Sequence, residues 1–181
     1  MTVKNRIIPD EDDWRNPTEY AVVFKGTNNL KNWQNNIEAY LSSKSADVWD
    51  AINNSVWFDS MREQEITFVG HSKGGGEAIA AATATNKNAI TFNAANFNFS
   101  KYGLTETNKS GIKNYYVEGE ILYSTIGAAR YGTTQTLLPT QEWLVNTAID
   151  FDIFGKKVYK EIKIPDPVGN HLMGAVKKAI K

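Results

Sequence analysis

The chain of 181 residues contains no cysteine, which excludes disulfide bonds, thiol chemistry and cysteine-ligated zinc. It has no surplus of charge either: 20 basic residues balance 20 acidic ones, so the composition gives no indication of nucleic acid as a partner. No apolar run approaches the length of a membrane span, and the charged N-terminus lacks the apolar core of a signal peptide. We therefore expect a protein that is cytoplasmic or is secreted by a route without a cleaved signal.

One stretch carries most of the chemical information, ITFVGHSKGGGEA at residues 66–78. Its first four residues are apolar or β-branched, as in a buried parallel strand, and the alanine-rich segment 77–86 favours a helix. Between them, Gly70 and Gly74 frame Ser72 in the Gly-x-Ser-x-Gly pattern of the nucleophile elbow of α/β-hydrolases. A glycine-rich phosphate loop is disfavoured because the chain has no Gly-Lys-Ser/Thr sequence.

Histidine is scarce, and this narrows the choice of a catalytic base. The chain has two histidines, His71 and His171. His71 lies inside the elbow, directly before Ser72, and from that position a side chain does not normally reach the serine hydroxyl. If Ser72 is activated by a histidine, as serine nucleophiles commonly are, the base has to be His171.

The order of predicted elements indicates a single α/β domain over 1–181. It starts with an arm, 1–18, that we expect to be irregular. We predict strands over 20–24, 66–69, 88–93 and 112–117, and helices over 30–41, 45–52, 77–86 and 172–180. This alternation predicts a mostly parallel sheet flanked by helices. Residues 26–27, Ser72, 93–96 and 118–120 are then expected to lie at the same edge of the sheet, at the carboxyl ends of its strands.

The segment 121–153 is less regular. Its apolar part, 137–154, is compatible with an amphipathic lid, with the wall of an acyl pocket or with a helix that packs on the core. Residues 156–164 alternate polar and apolar side chains, which predicts a half-exposed strand at the edge of the sheet.

Several segments together resemble one family. They are similar, in order, to motifs of the lipase class 3 family, the fungal-type triacylglycerol lipases and their bacterial relatives. The segments are YAVVFKGT at 20–27 with Trp33, the elbow at 66–78, ITFNAANFN at 90–98, YYVEGEIL at 115–122 and NHLM at 170–173. The resemblance covers roughly residues 19–175 and implies an α/β-hydrolase fold and hydrolysis of carboxylic esters.

The resemblance also implies roles for single residues. Ser72 is the expected nucleophile and His171 its general base. Thr27, at the end of the first strand, and Lys73, directly after the nucleophile, are the expected oxyanion-hole residues, each through its backbone N–H.

The acid that orients His171 is expected to be Glu120, at a position where the family usually has aspartate. Glutamate serves the same role in some hydrolase triads. Glu118, two residues earlier on the same predicted strand side, is the alternative acid, and Asp166 and Asp152 are weaker alternatives.

The expected reaction is hydrolysis of a lipid or other acyl ester through an acyl-enzyme, and the apolar segment 137–154 favours a lipid. Two alternatives stay open: acyl transfer or amide cleavage by the same residues, and a non-catalytic binding module on a hydrolase scaffold. No cofactor or metal is expected, because no loop has a recognisable ligand spacing. Transient contact with a lipid surface is also expected. The chain is expected to be a compact family member or part of a longer protein, in which a further domain or partner covers the site.

Overall fold

The computed structural model describes residues 2–6, 19–26, 45–61, 65–96, 98–105, 111–126, 131–139, 142–151, 157–165, 167–171 and 173–180. The predicted helix over 30–41 and the predicted site residue Thr27 lie outside them, as do Asp152 and Asp166.

The centre of the fold is a six-stranded sheet with the strand order β1-β2-β3-β4-β5-β6. The strands are Thr2–Arg6 (β1), Glu19–Phe24 (β2), Ile66–His71 (β3), Asn88–Phe92 (β4), Ile112–Val117 (β5) and Thr133–Leu137 (β6). Strand β1 pairs antiparallel with β2, and β2 to β6 form a parallel sheet of five strands. The predicted α/β-hydrolase-like sheet is thus confirmed.

Helices cover this sheet. They are Ala46–Ser60 (α1), Lys73–Thr85 (α2), Ile121–Ile126 (α3), Pro167–His171 (α4) and Met173–Ala179 (α5), and a 3₁₀ turn spans Phe99–Tyr102. Helix α2 packs against β3 and β4 on one side and against α1 on the other. Residues Gly74 to Thr83 of this helix are all buried, and most of them are glycine or alanine, which allows this close contact with the sheet.

Apolar side chains lie on both faces of the sheet. On β5, Tyr116 belongs to the main core together with the alanines of α2, whereas its neighbour Val117 packs against Val176 of α5. Successive side chains of a strand point to opposite faces, so α2 and α5 cover opposite sides of β5. This sandwich explains why the strands are apolar on both faces.

Several expected elements differ from the structure. Part of the arm expected to be irregular forms β1, which pairs with β2 along its whole length. Helix α1 ends at Ser60 rather than near residue 52. The helix predicted over 172–180 is α5, but a further short helix that was not predicted, α4, comes before it and ends at His171.

The segment after β6 forms a separate antiparallel pair of strands. These are Glu142–Phe151 (β7) and Lys157–Pro165 (β8), which make a two-stranded sheet of their own. The strand prediction over 156–164 was right, but its placement at the edge of the main sheet was wrong. Residues 142–151 are a strand, not a helix that packs on the core.

Candidate active site

Ser72 occupies the turn between β3 and α2. Its φ of 56° and ψ of −127° lie in a region that side-chain-bearing residues rarely adopt, at a cost of about 1–3 kcal/mol. The surrounding backbone holds this conformation. The Ser72 N–H donates to Phe92 O at 3.1 Å, and the Ser72 carbonyl accepts from the N–H of Gly75 and of Ala95, both at 2.9 Å.

Two glycines make this turn sterically feasible. A Cβ at Gly70 would lie 2.0 Å from the carbonyl oxygen of Gly74, and a Cβ at Gly74 would lie 2.4 Å from that of Phe24. Both neighbours are backbone atoms, which have little freedom to move aside. The Gly-x-Ser-x-Gly pattern is therefore a packing requirement of the strand-to-helix turn.

The structure brings Ser72, His171 and Glu120 together. His171 Nε2 lies 2.9 Å from Ser72 Oγ, and His171 Nδ1 lies 2.7 Å from Glu120 Oε2. The three residues are 3%, 2% and 0% exposed, so the chain of contacts is shielded from bulk water. A hydroxyl, an imidazole and a carboxylate in this order can pass a proton from oxygen to nitrogen while the carboxylate holds the other ring nitrogen.

Glu120 is held by the helix that follows it. Its Oε2 accepts from the backbone N–H of Leu122 at 2.9 Å, and its Oε1 accepts from the N–H of Tyr123. These N–H groups belong to the first turn of α3, where no intrahelical acceptor is available. The carboxylate thereby has a fixed orientation toward His171, whereas Glu118 is exposed.

Sequence reasoning assigned no role to two residues that contact the backbone of His171. His71 Nε2 lies 2.6 Å from the carbonyl oxygen of His171, and Asn93 Nδ2 donates to the same oxygen at 3.1 Å. Burial, followed by the proximity of His171, lowers the pKa of His71 to about 4. The sequence signal for Asn93 was its position at the carboxyl end of the strand predicted over 88–93.

The side chain of Lys73 points into an acidic cluster beside α1. It forms ion pairs with Asp47 and, at 3.6 Å, with Glu77. Burial opposes the charge of Lys73, but these two carboxylates outweigh it and raise its pKa. Burial raises the pKa of Glu77 to about 7, although Lys73 opposes the rise. The cluster borders a cavity of about 200 Å³.

The expected oxyanion residue Thr27 lies outside the described residues, but its neighbour Gly26 is described. A Cβ at Gly26 would lie 2.7 Å from His71 O and 3.5 Å from Ser72 Cβ. The turn after β2 thus reaches the elbow.

Comparison with protein families gives a match over most of the chain. The family model that matches is phospholipase-like and is described as a Tle-like phospholipase domain. The match covers residues 7–148. The chain belongs to this family. The matched range includes Ser72 and Glu120 and ends before His171. The predicted resemblance is thus confirmed as one to a lipase or phospholipase family, and nothing in the match singles out lipase class 3.

A relative of this phospholipase-like chain agrees with the family match. The extracellular phospholipase A1 of Serratia liquefaciens is 27% identical to it in an alignment over 121 residues that covers 62% of this chain. The chain matches 38% of that relative's length. The family model and the relative are both described as phospholipases, in line with the lipase-like motifs of the sequence.

Among the described residues, no group of three or more histidine, aspartate and glutamate side chains is arranged to hold a metal ion. None of the described helices is long and apolar enough to pass through a bilayer.

Proposed function

We propose that this protein is a serine hydrolase that cleaves carboxylic ester bonds of lipids, with phospholipids as the first class to test. The observation that carries the proposal is the buried contact chain from Ser72 through His171 to Glu120, with distances of 2.9 Å and 2.7 Å. The phospholipase-like family and the motifs shared with lipase class 3 support the choice of a lipid ester.

The first half of the reaction forms an acyl-enzyme. Ser72 Oγ attacks the ester carbonyl carbon while His171 Nε2 takes its proton, and the carbonyl oxygen becomes an oxyanion. Glu120 stays ionised, holds the Nδ1–H and stabilises the imidazolium. The imidazolium then gives its proton to the alkoxide that leaves, and the acyl group remains on Ser72.

The second half returns the enzyme to its starting state. Water attacks the acyl-enzyme carbonyl, and His171 Nε2 takes a proton from it. Collapse of the second tetrahedral intermediate breaks the bond to Ser72 Oγ, which recovers the proton, and the carboxylic acid leaves.

The backbone N–H groups of Thr27 and Lys73 are proposed to bind the oxyanion in both halves. Lys73 directly follows Ser72 and is the first residue of α2, the position whose backbone N–H binds the oxyanion in α/β-hydrolases. Thr27 follows Gly26, whose backbone packs against Ser72. Loss of one such donor costs about 10²- to 10³-fold in kcat in serine hydrolases of known mechanism.

The test is the hydrolysis of phosphatidylcholine vesicles and of soluble acyl esters by wild type and Ser72→Ala. We expect Ser72→Ala to lower kcat by about 10⁶-fold, the loss typical of a missing serine nucleophile. Ser55→Ala is the matched control, because Ser55 is also fully buried but lies in α1. A folded Ser72→Ala protein that hydrolyses both substrates as fast as wild type would contradict the proposal.

Two additions to this assay separate the alternative functions. An added alcohol acceptor that becomes acylated at the expense of free acid would favour acyl transfer. Failure of wild type to react with a fluorophosphonate, despite a native fold, would favour a binding module.

A further inference from the structure

The end of α4 carries two buried backbone carbonyls that accept hydrogen bonds from side chains outside the helix. They belong to Asn170 and His171, which are 0% and 2% exposed. A buried carbonyl without a donor costs free energy, so donors that reach these two oxygens help to hold the end of α4 in place.

Two side chains from the ends of neighbouring strands supply donors. Asn93 Nδ2 donates to Asn170 O at 2.9 Å and to His171 O at 3.1 Å. His71 Nε2 lies 2.6 Å from His171 O, and because a carbonyl oxygen only accepts, this nitrogen carries the proton. The two side chains thus act on the same backbone oxygen of the proposed base.

Asn93 is itself held rigidly. It is fully buried, and its φ of 45° is a left-handed conformation that asparagine tolerates better than most residues. Its Oδ1 accepts from Val117 N at 2.9 Å, and its own N–H donates to Tyr115 O at 2.8 Å. Asn93 therefore joins the end of β4 to β5, the strand that leads to Glu120, and to α4.

His71 reaches the same carbonyl oxygen of His171 from the end of β3. It is the last residue of β3, directly before Ser72, and its ring lies 5.0 Å from the ring of His171, centroid to centroid. Burial and the neighbouring His171 lower its pKa to about 4, so it adds no positive charge beside an imidazolium at neutral pH.

We propose, on the basis of the proposed function, that His71 and Asn93 are positioning residues that hold the backbone of His171 and so keep its imidazole between Ser72 and Glu120. Neither residue touches the reacting atoms in this proposal. They act through His171, because a small displacement of its backbone lengthens both imidazole contacts together.

The kinetic test uses paired variants at each position. His71→Phe keeps a ring but removes the donor, whereas His71→Gln keeps an N–H donor. Asn93→Asp keeps the shape, the left-handed φ and the Oδ1 acceptor but removes both donors to α4. Asn114→Asp is the matched control, since buried Asn114 also accepts one hydrogen bond and donates to a backbone carbonyl. Its donor is the Thr91 hydroxyl, and its acceptor is Tyr131 O.

We expect His71→Phe and Asn93→Asp to lower kcat and the rate of fluorophosphonate labelling by about 10- to 100-fold, with KM unchanged, as misplacement of a reacting group does. His71→Gln is expected to recover most of the rate, and Asn114→Asp to keep it. Thermal unfolding of each variant gives the fraction of folded protein at the assay temperature. The loss of rate can then be compared with the loss of folded protein.

Proton NMR supplies a measurement that does not depend on activity. The chain has two histidines, so in His71→Phe every imidazole signal comes from His171. We expect the Nδ1–H signal of His171, which is bonded to Glu120, to move upfield or to exchange faster in His71→Phe and Asn93→Asp. His71→Gln and Asn114→Asp are expected to retain the wild-type signal.

The two proposals fail in different ways. The positioning role alone is overturned if wild type reacts with the fluorophosphonate and the variants behave like the control. In that case His71→Phe and Asn93→Asp would be labelled as fast as Asn114→Asp and would keep the Nδ1–H signal of His171. Wild type that neither labels nor hydrolyses esters overturns the proposed function, and the NMR comparison still decides whether the two side chains position His171. If Asn93→Asp does not fold, the His71 pair decides.

Discussion

Glu118 and Glu120 are two residues apart but have opposite environments. On a continuing strand, both side chains would point to the same face. The chain instead leaves β5 after Val117 and turns at Gly119, where φ is 71°. Glu118 stays exposed as a result, and Glu120 points inward to His171 and to the first turn of α3.

This difference predicts unequal effects of the same substitution at the two positions. Glu120→Gln keeps the size of the side chain but gives His171 an amide in place of a carboxylate, and we expect kcat to fall by about 10³- to 10⁴-fold. Glu118→Gln is expected to leave kcat within about twofold of wild type, as exposed substitutions usually do. Ester hydrolysis by both variants checks this, and equal losses of kcat would contradict the assignment of Glu120.

Glu77 predicts a pH dependence of stability. Its pKa is raised from 4.5 to about 7 in the folded protein, chiefly by burial. As pH rises from 4.5 to about 7, the unfolded carboxyl ionises while the folded one retains its proton. The folded state therefore loses stability across this range relative to a chain with a neutral side chain at position 77, and the loss is complete above about pH 7.

Glu77→Gln is accordingly expected to unfold at a higher temperature than wild type at pH 8. A gain of about 2–4 °C is reasonable for a chain of this size, and it should vanish toward pH 4. Glu65→Gln, at an exposed position, is the control and should change little at either pH. Thermal unfolding at both values measures the difference. A gain that is equal at pH 4 and pH 8 would argue against a raised pKa of Glu77.

Among the elements, those with a local sequence signature matched their predictions best. The strand predicted over 112–117 is β5 with the same bounds. The elbow strand and helix were also predicted, although the strand continues to His71 and the helix begins at Lys73, four residues earlier than expected. The segment 142–151 was harder, because a nearly continuous apolar run fits a buried strand and a buried helix alike. Its pairing with β8, which no local pattern encodes, decides that it is a strand.

The elbow predicts a sharp contrast between two glycine substitutions. Gly70→Ala places a Cβ against the backbone of Gly74, so we expect a loss of at least about 3 kcal/mol in the free energy of unfolding or no folding at all. Gly174→Ala, in α5, has no atom within 4 Å of its new Cβ, and it is expected to be neutral or to stabilise by up to about 1 kcal/mol. Urea unfolding compares the two, and equal midpoints would contradict the packing at the elbow.

For the whole molecule, the parallel sheet brings distant residues to one edge. His171 is 99 residues from Ser72 and 51 from Glu120 along the chain, yet it contacts both. Strand β3 pairs with β2 and β4 and lies under α2, which places Ser72 at the end of an interior strand of the sheet. The two-stranded sheet of β7 and β8 has no comparable pairing among the described residues.

Hydrogen exchange should reveal this difference in local stability. We expect backbone amides of β3 and α2 to exchange slowest, because they open only when the main core opens. Amides of β7 and β8 are expected to exchange faster, since a sheet of two strands is marginally stable without further support. Exchange followed by mass spectrometry measures both, and equal protection of β7 and β3 would show that the small sheet is part of the main core.

The sequence alone determined the parts of this protein that depend on near neighbours. The elbow is readable because its glycines, serine and strand lie within a few residues of one another, and a count of two histidines singled out His171 for the role of base. The tertiary structure decided the rest. The choice between Glu118 and Glu120 depends on a turn after β5, and the contacts of His71 and Asn93 with α4 join residues 100 and 78 positions from His171. Such contacts follow from the packing of the whole sheet, which no short pattern encodes.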